Sequence, residues 1–168
     1  MKRTLAWSLV LALTLSLLPG CGQRIRAQEL TAQPIPLSNE HRSEYDLEAA
    51  KIQFALSGFG LSLLQSTRER EGDSVLLSPL SVALALSMAA NGAEGETLDQ
   101  FKQVLGGGAS LGALNVACNS LLEAYQNLGG STECSIANSL WTDPEGMIRE
   151  DFIGRCRGIF DAQVFSQE

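Results

Sequence analysis

The stretch from Pro79 to Ala90 constrains the fold of this chain most, because it contains no charged residue. Ser78 and Pro79 before it form a helix-start pattern: a serine hydroxyl accepts a hydrogen bond from a free amide, and proline is tolerated in the first turn. The residues that follow are apolar on every side of a helix, which is typical of a helix inside a large core. We therefore expect a buried helix, with hydrogen-bond partners for the hydroxyls of Ser81 and Ser87.

An export signal precedes the folded part of the chain, at residues 1–20. Lys2 and Arg3 form a short positive segment, and an uncharged, leucine-rich run follows from Leu5 to Leu18. This run is shorter than the roughly 20 residues that cross a bilayer, so it indicates secretion rather than a membrane span. It ends at Gly20-Cys21, which resembles the site at which bacterial lipoproteins are lipidated; ordinary cleavage nearby is the alternative. The sequence predicts a protein of the extracellular space or cell envelope, anchored to the membrane by a lipid on Cys21.

Composition argues against two classes of function. The chain has 12 basic and 19 acidic residues, and an acidic protein has no electrostatic basis for binding nucleic acid. Cys118, Cys134 and Cys156 lack the spacing of metal ligands, and His41 is the only histidine. No metal or cofactor site is predicted. We expect the three cysteines to be small buried residues, with one disulfide as an open alternative in an oxidising compartment.

The remaining patterns predict an alternation of helices and strands. Polar residues 21–44, with two prolines, indicate a tether, and the folded domain would then occupy residues 45–168. Helices are expected at Leu47–Gln65, at Thr97–Leu105 after a capping box of Thr97 and Gln100, at Leu111–Leu128 and at Ile148–Ile159. The first of these would bury Leu47, Ala50, Phe54, Gly58, Leu61 and Leu64, and a solvated loop would follow at Thr67–Asp73. Strands are expected at Ser74–Leu77, at Cys134–Trp141 with both faces buried, and at Phe160–Phe165.

Several of these segments, in the same order, resemble those of the serpins. The resemblance is carried by Asp73-Ser74-Val75-Leu76-Leu77-Ser78-Pro79-Leu80-Ser81, Ala83-Leu84-Ala85-Leu86-Ser87-Met88, Gly92-Ala93-Glu94-Gly95-Glu96-Thr97, Ala137-Asn138-Ser139-Leu140-Trp141 and Phe160-Asp161-Ala162-Gln163. From about Leu47 to Glu168 the chain looks like the amino-terminal third to half of a serpin. The resemblance implies an α+β serpin fold, here incomplete, with the amino-terminal helices and the first strands of the central sheet.

The resemblance also implies an activity. Serpins inhibit serine endopeptidases, and in some members cysteine endopeptidases, through a reactive loop that the target protease cleaves and that then inserts into the central sheet. That loop would lie beyond Glu168, so we expect this chain to be a fragment of a longer inhibitor. The residues that match the region where the sheet opens are Ser78, Ser81 and Asn138, either as structural groups or as part of the gate.

Two other functions remain as alternatives. A serpin-fold protein can lack inhibitory action and serve as a lipid-anchored binding or structural protein. A thiol hydrolase would need one of the cysteines beside His41, but no nucleophile motif surrounds any cysteine, so a protein without catalytic activity is predicted. Some serpins bind heparin through basic residues of the helix that matches Leu111–Leu128. This segment has no Lys or Arg, and no heparin binding through it is expected.

Overall fold

Helices dominate the computed structural model, which describes residues 27–71 and 74–167. In chain order the elements are β1 (Ala27–Glu29), α1 (Asn39–Glu71), α2 (Pro79–Ala90), α3 (Gly95–Gly106), α4 (Leu111–Gln126), β2 (Asn138–Thr142), α5 (Glu150–Phe160) and β3 (Ala162–Gln167). The predicted α+β class is confirmed. The predicted signal at residues 1–20 and Cys21 lie outside the described residues. Among the helices that are described, none has both the length and the apolar character that a membrane crossing requires.

The core lies where α1, α2, α4 and α5 meet. Ile52, Leu84, Leu114 and Phe160, one from each of these helices, are almost completely buried. In α4 every residue from Ala113 to Cys118 is buried, which makes α4 the most enclosed helix. Burial of this kind contributes roughly 1.5–3 kcal/mol for each large apolar side chain. The core therefore holds the helices together on one side of the sheet residues Ala162 and Val164, which are buried as well.

Two helices expose surface that was predicted to be buried. In α2, Ala83, Leu84, Ser87, Met88 and Ala90 are buried, whereas Ser81, Ala85 and Ala89 face solvent. In α1 the buried stripe is Ala49, Ile52, Leu56 and Gly60, and the stripe predicted to be buried is exposed, with Leu47 at 77%, Phe54 at 84% and Leu61 at 71%. The sequence of α1 carries two apolar stripes, and helical spacing alone does not say which of them meets α4.

Helix α1 is also longer than predicted. It begins at Asn39 and continues to Glu71, so it includes residues predicted to form a solvated loop after Thr67. Arg and Glu are good helix formers, and this charged stretch extends the helix into solvent without a need for packing. Gly60 lets α1 approach α2 closely, because a Cβ there would lie 2.9 Å from the Cβ of Pro79.

The tether predicted at residues 21–44 is wrong for the part that is described. We call residues 27–37 the amino-terminal strap. Its first three residues form β1, which pairs antiparallel with β3, and the Ile35 amide donates to the Gly154 carbonyl in α5 at 2.8 Å. Leu30, Ala32 and Leu37 pack against the core, which is why this polar-looking segment is ordered on the domain.

The three strands form one sheet in the order β1-β3-β2. Strands β2 and β3 are parallel, from Asn138 opposite Ala162 to Thr142 opposite Ser166. Strand β2 is shorter than predicted and is not buried on both faces, since Trp141 is 51% exposed and stacks on Phe165 with ring centroids 4.6 Å apart. No protein layer covers that face of β2 in the described part of the chain.

Two local predictions fail. Ser74–Leu77 forms no strand in the described part of the chain. Helix α3 begins at Gly95 and its cap residue Glu94 makes no side-chain hydrogen bond, so the capping box of Thr97 and Gln100 does not form. Gly95 has φ +56°, a left-handed conformation that glycine adopts readily, and this turn starts the helix two residues earlier than Thr97.

Candidate functional site

The predicted cap at the start of α2 is confirmed by the geometry of two serines. Ser78 is extended, with φ −106° and ψ 95°, and its Oγ accepts a hydrogen bond from the Ser81 amide at 3.4 Å. The two hydroxyl oxygens lie 2.9 Å apart, so Ser81 has the partner that its hydroxyl needs. Both side chains are exposed rather than buried. The hydroxyl of Ser78 thus caps the first turn of α2.

Asn138 serves a different contact. Its Nδ2 donates to the carbonyl of Phe160 at 2.8 Å, which ties the first residue of β2 to the last residue of α5. The chain reverses next to this bond, at Asp161, whose φ of +49° is left-handed. Asn138 therefore fixes the α5–β3 connection beside β2 and supplies no partner for α2. Of the three predicted residues, the structure brings Ser78 and Ser81 together and holds Asn138 elsewhere.

A cavity of about 430 Å³ lies between the start of α2 and the segment that leads into β2. Its lining is Ser78, Leu80, Ser81, Tyr125, Cys134, Ser135, Ile136 and Ala137. None of these side chains carries a charge at neutral pH, and the polar ones offer hydroxyls and a thiol. Such a lining suits movement of a neighbouring segment of polypeptide, because no charge would lose its solvent when the segment shifts.

Buried polar pairs join α2 to α4, and sequence analysis missed one of them. Asn91 and Asn115 exchange two amide hydrogen bonds, at 2.8 and 3.0 Å, and both residues are buried. Ser87 accepts a hydrogen bond from the Cys118 thiol at 3.3 Å, which is the partner its hydroxyl was expected to need. The signal for the asparagine pair was a lone amide inside the apolar stripe of α4. Fully paired groups of this kind fix the register of two helices.

The cysteines are poor candidates for nucleophiles. Burial raises the pKa of Cys118 to about 11, an effect that the hydrogen bond to Ser87 reduces, and burial likewise raises the pKa of Cys156 to about 11. Because the thiolate is the reactive form, both thiols are inert near neutral pH. His41 lies at the exposed start of α1, with Nδ1 2.8 Å from Ser38 Oγ. The absence of catalytic activity remains a prediction.

The described residues contain three free thiols, at Cys118, Cys134 and Cys156. Across the same residues no cluster of His, Cys, Asp or Glu has the arrangement of a metal site. None of these three thiols forms a disulfide with another described cysteine.

Loss of the α2 cap should weaken the protein measurably. We expect Ser78→Ala to lower the free energy of unfolding by about 1 kcal/mol, because the Ser81 amide and hydroxyl both lose their partner. Urea denaturation followed by circular dichroism measures this loss. Ser62→Ala, an exposed position inside α1, is the matched control and should be nearly neutral. An equal loss in the two variants would contradict the cap.

Alkaline pH should destabilise the protein through Cys118. The pKa of this thiol is raised from 9.0 to about 11 in the folded state, so its contribution is present below pH 9 and is lost as pH rises from 9 to 11. A difference of about two units between the unfolded and folded pKa corresponds to about 3 kcal/mol of unfolding free energy. The unfolding free energy of Cys118→Ala should therefore fall less over this range, whereas Cys134→Ala, at a partly exposed position, should keep the full loss. Parallel pH profiles for both variants would refute the prediction.

Comparison with known families agrees with this geometry. A family model described as serpin (serine protease inhibitor) matches residues 54–168, which include both serines, Asn138, β2 and β3. The chain belongs to the serpin family. The resemblance inferred from the sequence motifs is thereby confirmed, and serpins are generally protease inhibitors. The strap and the first part of α1 lie outside the matched residues.

Individual relatives support the same assignment over part of their length. The serpin described here is 34% identical to alpha-2-antiplasmin of Mus musculus over 129 residues, 77% of this chain and 24% of that protein. It is 34% identical to the plasma serine protease inhibitor of Bos taurus over 95 residues, 55% of this chain and 24% of that protein. An uncharacterized serpin-like protein of Methanosarcina acetivorans is 26% identical over 157 residues, 92% of this chain and 35% of that protein.

Two solved structures show a similar fold. The thermophilic serpin tengpin, in the latent state, matches 79% of this chain with a TM-score of 0.56 and 28% identity, over 33% of its own length. A serpin in a structure of a loop C-sheet polymer matches 86% of this chain with a TM-score of 0.55, over 35% of its own length. The chain thus spans about a quarter to a third of the proteins that it matches.

Proposed function

We propose that this chain is the amino-terminal part of a serpin that inhibits serine endopeptidases, and in principle cysteine endopeptidases, by suicide cleavage and loop insertion. The observation that carries the proposal is the family match over the junction of α2 with β2, where the two serines and the neutral cavity lie. The parallel pair of β2 and β3 supplies the beginning of a sheet. Further strands of the sheet would add to the free edge of β2.

The exposed apolar surface of the helices suggests that additional polypeptide covers it. An open groove of about 490 Å³ runs between α1, α2 and α4, and its lining includes Leu61, Leu64, Pro79, Leu80 and Tyr125. Leu61 is 71% exposed and Leu64 is 41% exposed, which is costly for a helix surface unless another layer covers it. The relatives are about three to four times as long as the matched segment. We propose that a segment equivalent to their remaining length fills this groove.

The cap and the cavity suggest how the junction would work during loop insertion. The first turn of α2 is held by two exposed hydroxyls that bond to each other, and the residues before β2 line the same cavity. When the sheet opens, Ser78 and Ser81 could exchange partners at small cost because neither is charged. Asn138 would meanwhile keep β2 fastened to the end of α5. In this proposal the serines act at the gate and the asparagine positions the sheet.

We also propose that the protein is exported and carries a lipid on Cys21, which would place the inhibitor in the cell envelope. The basis is the signal pattern at residues 1–20. Expression in a bacterial host with an alkyne-labelled fatty acid, followed by detection of the label on the purified chain, tests this. Cys21→Ser should abolish the label, and Cys134→Ser should retain it. Label that persists in Cys21→Ser would contradict lipidation at this residue.

The inhibitory function is tested on the complete protein that contains this chain. Incubation with trypsin-like, chymotrypsin-like, elastase-like and papain-like proteases should give, for at least one protease, a complex that survives denaturing electrophoresis. A protease whose nucleophile has been blocked is the control and should give none. Cleavage by every protease without a stable complex would contradict the proposal and favour a non-inhibitory binding or structural protein.

We expect that heparin does not bind to α4 and so does not change the rate of protease inhibition by that route. The helix contains no Lys or Arg, and sulfate groups require such partners. Association rates measured with and without heparin check this expectation. A rate that rises with heparin and returns to its basal value when Gln126→Ala, a neutral exposed position of α4, is introduced would overturn it.

A further inference from the structure

The amino-terminal strap is held by backbone hydrogen bonds to a single unit of the fold. Within β1, Ala27 lies opposite Gln167 and Glu29 lies opposite Phe165 of β3. Beyond the strand, the Leu30 amide donates to the Val164 carbonyl at 2.8 Å, and the Ile35 amide donates to the Gly154 carbonyl at 2.8 Å. The strap therefore crosses from the outer edge of β3 onto α5, two elements that are adjacent in the chain.

Two glycines of α5 are shaped around this segment. They lie one helical turn apart, at Gly154 and Gly158. A Cβ on Gly154 would lie 2.7 Å from the Gln33 carbonyl oxygen, and a Cβ on Gly158 would lie 2.6 Å from the Ile35 nitrogen and collide with the rest of its backbone. Glycine inside a helix costs about 1 kcal/mol relative to alanine. Helix α5 contains two such glycines, and because they lack a Cβ, the backbone of the strap packs directly on the helix.

One ion pair fastens the strap from the side. Arg157 of α5 donates to Glu29 Oε1 at 3.1 Å and to the Leu30 carbonyl at 3.4 Å. The arginine side chain is 25% exposed and the glutamate side chain is 41% exposed, so solvent weakens the pair, and its effect is mainly orientation. Together with the strand and the glycine groove, it gives three separate attachments, all on α5 and β3.

We propose that the strap is a releasable latch on the edge of the sheet: fastened, it holds β3 against α5 as one rigid unit, and released, it frees β3 to move relative to α5 and the other core helices. The reason is topological. Strand β3 lies between β1 and β2, so release of the strap leaves it paired on one edge only. The latch itself does not depend on protease inhibition, whereas its effect on how the sheet accepts a further strand rests on the proposed function.

Hydrogen exchange with mass spectrometry on the full chain tests the latch. Gly158→Ala should push the strap off α5, so that the hydrogen-bonded amides of Leu30 and Ile35 exchange at least tenfold faster than in the unchanged protein. Exchange of the β3 amides should become faster by a similar factor, while the amides of α2 and α4 should exchange as slowly as before. Gly58→Ala is the matched control: it is also a helical glycine, but a Cβ there meets nothing within 4 Å, so exchange should not accelerate.

A second variant separates the latch from damage to α5. Leu30→Pro leaves the sequence of α5 unchanged but removes the amide that donates to Val164. Amide exchange in the strap and in β3 should become faster, as in Gly158→Ala. A strap that exchanges fast in either variant while β3 keeps its protection would overturn the proposal, and so would a strap that stays protected in both. Because no protease is present, this outcome is independent of whether the complete protein inhibits one.

Discussion

Replacing Phe160 with alanine is expected to lower the free energy of unfolding by about 3–5 kcal/mol, because the ring is completely buried where α5 meets β3. The backbone carbonyl of the same residue accepts the Asn138 hydrogen bond, so the lost ring would also loosen the start of β2. Urea denaturation, with the midpoint and slope both fitted, measures the loss.

The matched control is Phe54→Ala, the same substitution at a phenylalanine of α1 that is 84% exposed. It should change stability by less than about 0.5 kcal/mol in this chain. A loss at residue 54 as large as at residue 160 would mean that the buried and exposed stripes of α1 had been assigned the wrong way round. A large loss only in the longer protein would show that further chain covers α1.

Asn115→Asp is expected to cost about 3 kcal/mol at pH 7, although the two side chains have the same shape. The new carboxylate would face the Asn91 oxygen in place of the amide that now donates to it at 3.0 Å, and it would be buried as a charge. Burial raises the pKa of such a carboxyl above its unfolded value of about 3.9. The penalty is therefore small below pH 4 and grows as pH rises through the folded pKa.

Unfolding curves at pH 4 and pH 7 give the measurement. The deficit of Asn115→Asp relative to the unchanged protein should be clearly smaller at pH 4, where a protonated carboxyl can donate to Asn91. Gln103→Glu, the same change of amide to carboxylate at an exposed position of α3, controls for net charge and should show no such difference. A deficit that does not change with pH would contradict the buried pairing of the two asparagines.

Local signals predicted the parts of the fold that local chemistry determines. Ser78 and Pro79 mark the start of α2 correctly because a hydroxyl cap and a proline act within one turn. The helices α4 and α5 were placed within two residues of their observed bounds, since each has one dominant apolar stripe. The family motifs then supplied the fold class, which spacing alone does not contain.

Apart from the capping box at Thr97 and the loop after Thr67, the predictions that failed involve contacts between distant residues. The strap was taken for a tether because nothing near Ala27 reveals its partner Gln167, at the other end of the chain. The buried face of α1 was assigned to the wrong stripe because only packing against α4 decides between the two. In the candidate site, the serine pair was predictable from its three-residue spacing, whereas the bond from Asn138 to Phe160 depends on how α5 turns into β3.

If Cys21 carries the proposed lipid, the fastened strap would also limit how far the domain can stand from a membrane. With a lipid on Cys21, Ala27 is the sixth residue after the anchor, which gives a maximum reach of about 20 Å at 3.4 Å per residue. Release of the strap would extend the free segment to the start of α1 at Asn39, eighteen residues from the anchor, or about 60 Å. Under these two proposals, a fastened strap would keep the domain against the lipid surface, and its release would triple the distance that the domain can reach.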